Sequence, residues 1–233
     1  MVGAMCGRYA TTRSDADLSV LFDAVDLVEG LEPSWNVAPT DPVPVVRVSQ
    51  RREARVLETA RWGLVPPWAD DLRGGARMIN ARAETVATSS AFAPSFARRR
   101  CLIPADGWYE WIRDGKHRQA YYMTPADGSP LAFAGLWSSW GPEAVLTCSI
   151  VTTAALGRLA RVHDRMPLVL PPERWSSWLA GGGDAVEQLA PMSPAALEAI
   201  EVRPVRPDVG NVRNNGPDLI TPSVPEPADA TLF

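Results

Sequence analysis

Gly107-Trp108-Tyr109-Glu110-Trp111-Ile112 leads through Arg113-Asp114-Gly115-Lys116 into Gln119-Ala120-Tyr121-Tyr122-Met123, two short aromatic runs around an Asp-Gly pair. Aromatic and β-branched residues suit the pleated surface of a sheet, and Asp-Gly supplies the positive φ angles of a tight hairpin turn. The stretch therefore reads as a β-hairpin. Side-chain alternation puts Trp108 and Glu110 on one face and Tyr109 and Trp111 on the other. Comparable runs recur at Val43 to Val48, Ala54 to Leu64, Cys101 to Ile103, Leu131 to Trp137 and Val145 to Thr152. The pattern predicts a strand-dominated, mixed α/β domain around a curved, mostly antiparallel sheet. Ser14 is placed to cap a short amphipathic helix carrying Leu18, Leu21 and Phe22. Further helices are expected over Ala83 to Arg99 with a break at Ala93-Pro94, over Leu156 to Val162, and from Pro171 or Pro172 to Leu179.

Composition bounds the function. At 233 residues and 46% hydrophobic, the chain can bury one sizeable core without a second domain. No apolar run is long enough for a membrane span, and Cys6, Cys101 and Cys148 show neither metal nor redox spacing, which fits a reducing cytoplasm. The net charge of -4 argues against coating nucleic acid by bulk electrostatics, while leaving room for a local basic groove. With only two histidines, His117 and His163, a histidine-rich metal site is excluded. Lys116 is the one lysine among 23 basic residues, and it lies in the hairpin turn. A nitrogen nucleophile for carbonyl chemistry must therefore come from elsewhere.

Met5-Cys6 offers one. Once the segment ahead of Cys6 is gone, the α-amine (pKa roughly 7.7–8.0) and the thiol (about 8.5) sit on one residue. Together they can condense with an aldehyde and close a five-membered thiazolidine ring. Residues 1–5 are too short and too weakly apolar for a signal peptide, and read as a removable leader or a start-site artefact.

Four further runs have both a structural and a chemical reading. In Arg61-Trp62-Gly63-Leu64-Val65-Pro66-Pro67-Trp68, Trp62 reads as core, whereas Trp68 is held after two prolines as a platform or wedge for a nucleobase. In Met78-Ile79-Asn80-Ala81-Arg82-Ala83-Glu84, Asn80 reads as a helix N-cap, or with Arg82 as a phosphate site. Glu110, among aromatic neighbours, is either a surface ion-pair partner or a general acid–base with a raised pKa. His163, in His163-Asp164-Arg165-Met166-Pro167, is either structural or an acid–base group.

Taken in order, these blocks resemble one family. Met5-Cys6-Gly7-Arg8-Tyr9, Trp35-Asn36-Val37-Ala38-Pro39-Thr40, Trp62-Gly63-Leu64-Val65-Pro66, Asn80-Ala81-Arg82-Ala83-Glu84, Gly107-Trp108-Tyr109-Glu110-Trp111 and His163-Asp164-Arg165-Met166-Pro167 are similar to the signature blocks of the SRAP family, the SOS response-associated peptidases. The similarity extends to a polar segment with Asn211, Asn214, Asn215 and Pro217. The resemblance implies a single α+β domain over residues 6–222, with a curved antiparallel sheet or barrel-like core, short flanking helices and a Pro-rich tail over 223–233.

It also implies a sensor that crosslinks itself to abasic sites in single-stranded DNA, including single/double-strand junctions, and shields the lesion. Cys6 would form the thiazolidine, Glu110 would transfer protons, Asn80 would orient the terminal residue or the sugar, and His163 would act as an acid–base group. Arg8, Pro39, Trp68 and Arg82 would contact the DNA, while Arg98-Arg99-Arg100 reads either as a solvated helix end or as an extension of that groove. The protein is expected to be a monomer in the cytoplasm, nucleoid-associated when bound to DNA, with no metal, no cofactor and no membrane partner. Two other readings remain: a thiol peptidase that cleaves ahead of Cys6, and a noncovalent single-strand DNA-binding module.

Overall fold

The computed structural model describes residues 6–28, 30–115 and 117–224, so the expected leader, Lys116 and the tail beyond Val224 lie outside the described residues. In chain order the elements are β1 (Tyr9–Thr11), α1 (Asp15–Phe22), β2 (Val25–Asp26), β3 (Ser34–Val37), β4 (Pro42–Ser49), β5 (Ala54–Trp62), β6 (Asn80–Arg82), α2 (Ala93–Arg98) and β7 (Arg100–Ala105). They continue with β8 (Gly107–Asp114), β9 (His117–Pro125), β10 (Leu131–Trp140), β11 (Val145–Ala154), β12 (Arg165–Pro167), α3 (Pro172–Ala180), α4 (Ala185–Gln188), α5 (Pro194–Glu198) and β13 (Ile200–Val205). The predicted hairpin is β8–β9, with Asp114 opposite His117.

Five strands close a barrel. β10, β7, β4 and β5 are successive antiparallel neighbours, and β11 pairs antiparallel with β10. A short parallel pairing of β11 with β5, Thr147 to Arg61 and Cys148 to Trp62, completes the ring. β2, β6 and β12 add to the same sheet, and β13, β9, β8, β1 and β3 form, in that order, a separate five-stranded sheet beside it. Alternation sorts the barrel residues. Val43, Val45, Cys101, Ile103, Phe133, Cys148 and Ile150 share one core with Tyr9, Trp108 and Met123 of the five-stranded sheet. Val46, Leu57, Leu102, Ala134 and Val151 point the other way, where Leu18 and Phe22 of α1, Phe96 of α2, and Trp175 and Trp178 of α3 cover them. Helices cannot fit inside a five-stranded ring, so the first set is the interior and the second the outer wall. Trp62 is fully buried, with its indole Nε1 donating to the Ile79 carbonyl at 3.0 Å.

One glycine redirects the chain towards the site. Gly63 has φ +128°, and a Cβ there would lie 2.5 Å from the Gly75 carbonyl oxygen. Its N–H donates to Cys148, so the chain leaves β5 along the edge of β11 and enters the Pro66-Pro67-Trp68 turn.

The Ser14 cap is as expected, its hydroxyl accepting from the Asp17 N–H at 3.1 Å. The helix expected over Ala83 to Arg99 is not formed as such. Asn80–Arg82 is a strand, parallel to Ile150–Thr152 of β11, and successive turns follow until α2 begins at Ala93. Thr85, Val86, Thr88, Ser89 and Ser90 explain this: β-branched and hydroxyl side chains favour turns over helix, and the Thr88 hydroxyl donates to the Thr85 carbonyl. Leu156 to Val162 is reduced to a 3₁₀ turn over Gly157–Arg161. No described helix is long and apolar enough to cross a membrane.

Candidate functional site

The site forms where β8, β6 and the β11–β12 pair meet. β8 carries Glu110 on the same face as Trp108, so its carboxylate enters the protein only 2% exposed. There it accepts the main-chain N–H of Cys6 at 2.9 Å and also contacts the Cys6 thiol. Cys6 is buried and has φ +40°, a left-handed backbone that costs a non-glycine residue of order 1–3 kcal/mol. The surroundings hold it in that conformation: the Asn80 amide donates to its carbonyl at 3.5 Å, and its Sγ lies 3.9 Å from the Arg165 carbonyl. Asn80 is thus brought to Cys6 from a strand edge, where the sequence alone suggested a helix cap.

Burial dominates the electrostatics. Loss of solvent pushes the Glu110 carboxyl above the ordinary carboxylate range, against the pull of the Cys6 hydrogen bonds and the nearby His163. Burial also pushes the Cys6 thiol well up, and the Glu110 charge adds to this while Arg165 opposes it. At neutral pH the thiol is therefore protonated, with a carboxylate at hand to take the proton.

His163 is oriented by the main chain, its Nδ1 accepting the Arg165 N–H at 3.0 Å. An accepting Nδ1 puts the neutral ring's proton on Nε2. The Asp164 carboxylate lies 3.1 Å from the same Nδ1, a contact that is a hydrogen bond only when Nδ1 carries a proton. Because the amide is always a donor and Asp164 is 84% exposed, the amide contact governs the ring.

Arg165 was given no role by the sequence. Its guanidinium holds Glu84 through bonds of 2.6 and 3.0 Å and donates to the Thr152 carbonyl at 2.7 Å, tying the turn after β6 to β11. That ion pair holds the Glu84 carboxyl below the usual range. Its place two residues after His163 gives no sign of these contacts, which join elements far apart in the chain.

The expected DNA contacts occupy different elements. Arg82 is exposed on β6 opposite Thr152, and Pro39 is half-buried after β3. Trp68 is 69% exposed in a turn anchored by the Trp140 indole, which donates to the Ala69 carbonyl at 2.8 Å. Arg8 is half-buried, and one of its nitrogens donates to Asn36 Oδ1 at 2.9 Å and to the Val209 carbonyl at 2.8 Å. The Asn36 amide in turn donates to the carbonyls of Asn211 and Asn214. The late polar segment thus clamps β3 and fixes Arg8. Among the described residues no His, Cys, Asp and Glu group is placed to hold a metal ion.

A family model described as SOS response associated peptidase (SRAP) matches residues 5–212. The abasic site processing protein YedK of Escherichia coli (strain K12) is 36% identical over 228 residues, covering 94% of this chain and 100% of that protein. The abasic site processing protein YoqW of Bacillus subtilis (strain 168) is 36% identical over 223 residues, covering 93% and 99%. HMCES of Xenopus tropicalis, with the same description, is 29% identical over 93% of this chain and 78% of its own. The fold is shared with a solved structure from Bacteroides thetaiotaomicron, with TM-score 0.81, 20% identity, and coverage of 94% and 100%.

Proposed function

The chain belongs to the SOS response-associated peptidase family, and from that premise we propose that it recognises abasic sites in single-stranded DNA and crosslinks to them through Cys6. The observation that carries this reading is the Cys6 nitrogen, 2.9 Å from a buried carboxylate that also touches the thiol of the same residue. In the full chain that nitrogen belongs to a peptide bond. We take residues 1–5 to be removed, by initiation at Met5 and loss of that methionine or by hydrolysis of the Met5–Cys6 bond, so that an amine occupies the same position.

The geometry supports one course of reaction. The ring-opened sugar of an abasic site presents an aldehyde; the Cys6 amine adds to it, and loss of water gives an imine. Glu110 in its protonated form supplies the proton for that dehydration. The carboxylate it becomes takes the thiol proton, sulfur adds to the imine carbon, and the nitrogen recovers a proton as the thiazolidine closes. The balance is protein plus DNA minus one water. An open imine promotes strand scission by β-elimination, and closing the ring prevents it. Asn80 holds the Cys6 carbonyl and His163 presents Nε2–H to the sugar, while Arg82, Pro39 and Trp68 line the approach of the strand, with Arg8 at its side.

Intact mass, measured on untagged protein before and after incubation with a single-stranded oligonucleotide carrying one abasic site, tests this. A chain beginning at Cys6 should gain the oligonucleotide minus one water, in an adduct that survives heat without borohydride. Cys6→Ser should lose the stable adduct and keep at most a borohydride-trappable imine. Absence of any adduct with Cys6 exposed would reject the reading in favour of noncovalent binding.

A further inference from the structure

The end of the barrel away from Cys6 gathers positive charge. A hollow of about 500 Å³ is lined by Arg47, Arg51, Arg98, Arg99, Arg100 and Trp137, with apolar and neutral residues completing its wall. Among the described residues no carboxylate lines it, in a chain whose acidic residues outnumber its basic ones, 27 to 23. Crowding five guanidiniums costs folding energy unless an anion joins them. Arg100 is the telling member. It is 4% exposed, its Nε donates to the Phe96 carbonyl at 2.6 Å, and its guanidinium lies 4.3 Å from the Phe96 ring centroid and 4.9 Å from that of Trp178. Its bonds are to neutral groups, including Gln188 Oε1 at 3.5 Å, so its charge is left uncancelled behind the hollow. Arg47 and Arg99 stand over Trp137, at 4.7 and 6.0 Å from a ring centroid. Glu58 takes Arg47 Nε at 2.6 Å and neutralises that one cation.

The place of the hollow in the fold points to its ligand. A second hollow, lined by Glu58, Ser139, Ala144 and Leu146, shares Arg47 and Trp137 with the first and reaches the end of the β10–β11 hairpin, its one carboxylate already bonded to Arg47. On that hairpin Trp140 anchors the Trp68 turn. β11 itself runs from Leu146 at this end to Thr152 at the Cys6 site, a span of about 20 Å at roughly 3.3 Å per residue. Along this strand pair Trp137 lies opposite Cys148 and Trp140 opposite Val145, so the basic hollow and the Trp68 turn both lie on the hairpin side of Thr152, with the hollow the nearer of the two to the site.

We infer that the hollow is a second anion site that takes the phosphodiester backbone of the strand leaving the Cys6 pocket, an assignment that rests on the DNA reading proposed above. The indole's neighbours are guanidiniums, so the site reads phosphate charge and not base identity.

The test uses Arg51→Ala/Arg98→Ala/Arg99→Ala, which leaves buried Arg100 and paired Arg47 in place, and a matching triple Lys variant. Binding to undamaged oligonucleotides of about six and about twenty nucleotides is followed against salt. Wild type should bind the longer one more tightly. The Ala variant should lose that advantage, its log–log salt slope falling by about 2, at roughly 0.7 per lost phosphate contact, and the Lys variant should restore it. Crosslinking to a short abasic oligonucleotide should not change. An unchanged slope, or equal losses on both lengths, would overturn the site. Thermal stabilisation by inorganic phosphate that matches the effect of the long oligonucleotide would assign it to a free anion instead and overturn the strand. If wild type crosslinks no abasic strand but the length advantage and its loss in the Ala variant are seen, the abasic reading falls and the nucleic-acid hollow stands.

Discussion

Glu110 and Arg100 are both charged and almost wholly buried, yet their surroundings differ in kind. Glu110 sits in the interior core and faces the nitrogen and thiol of a strained cysteine, with burial driving its proton affinity up. Arg100 sits on the outer wall, flanked by Phe96 and Trp178, with burial driving its pKa down. The first arrangement costs stability and supplies a proton carrier beside a nucleophile. The second embeds a cation among aromatic rings, where it touches no reactive atom and lends its charge to the hollow in front of it. A buried charge therefore marks chemistry where a reactive atom lies against it and the fold does not relieve it.

Glu110→Gln carries the largest expected effect. The amide oxygen still accepts the Cys6 N–H but cannot shuttle a proton, so crosslinking in a single-turnover assay should slow by about 10²- to 10⁴-fold. Stability should move the opposite way. Folded Glu110 keeps its proton to a higher pH than the unfolded side chain, whose pKa is about 4.3. Between those two values the native state holds more protons than the unfolded state, so stability falls as pH rises through the window and is greatest below it. Gln removes that loss. The variant should melt higher than wild type at pH 7, and the gap should close as pH approaches 4. A variant that is slow and also less stable at pH 7 would make Glu110 a structural residue.

On the outer wall, Trp178→Ala removes a fully buried indole that donates to the Cys101 carbonyl at 2.8 Å and flanks Arg100. The expected cost is about 3–5 kcal/mol of unfolding free energy. At roughly 2–4 °C per kcal/mol this is a fall in Tm of about 6–20 °C. Below that melting point, the crosslinking rate per folded molecule should match wild type. A rate defect without a stability defect would place the helix-covered wall in the reaction.

The same contrast explains what the sequence revealed. β4, β5 and β7 to β11 were legible because each is long enough for its β-branched and aromatic residues to alternate between two buried faces. β1, β3 and β6 were not, since runs of three or four residues take their pairing from a partner strand and carry little pattern of their own. β13 was hidden by Pro204, which an edge strand tolerates because one side of its backbone has no neighbour to bond. At the site, Cys6, Asn80, Glu110 and His163 stood out by type and by the similarity of their runs. Arg165 and the Asn36–Asn214 clamp did not, because their work is to hold elements far apart in the chain, which no local spacing records.

Trp68 sharpens the comparison from the surface, where neither core packing nor buried charge operates. The Ala69 N–H bonds back to the Pro66 carbonyl, and Trp140 holds the Ala69 carbonyl, so the turn is fixed by its main chain while the indole stays 69% exposed. Trp68→Ala should therefore leave Tm within the range of an ordinary surface substitution, about ±0.5 kcal/mol. A base stacked on the indole is worth about 1–3 kcal/mol, so single-strand affinity should weaken by about 5- to 150-fold, read by fluorescence anisotropy at fixed salt. The salt slope should not change, because no phosphate contact is lost, which separates this residue from the arginines of the basic hollow. A drop in Tm with affinity intact would mean the indole packs against the protein, and the surface face of the comparison would move to the core.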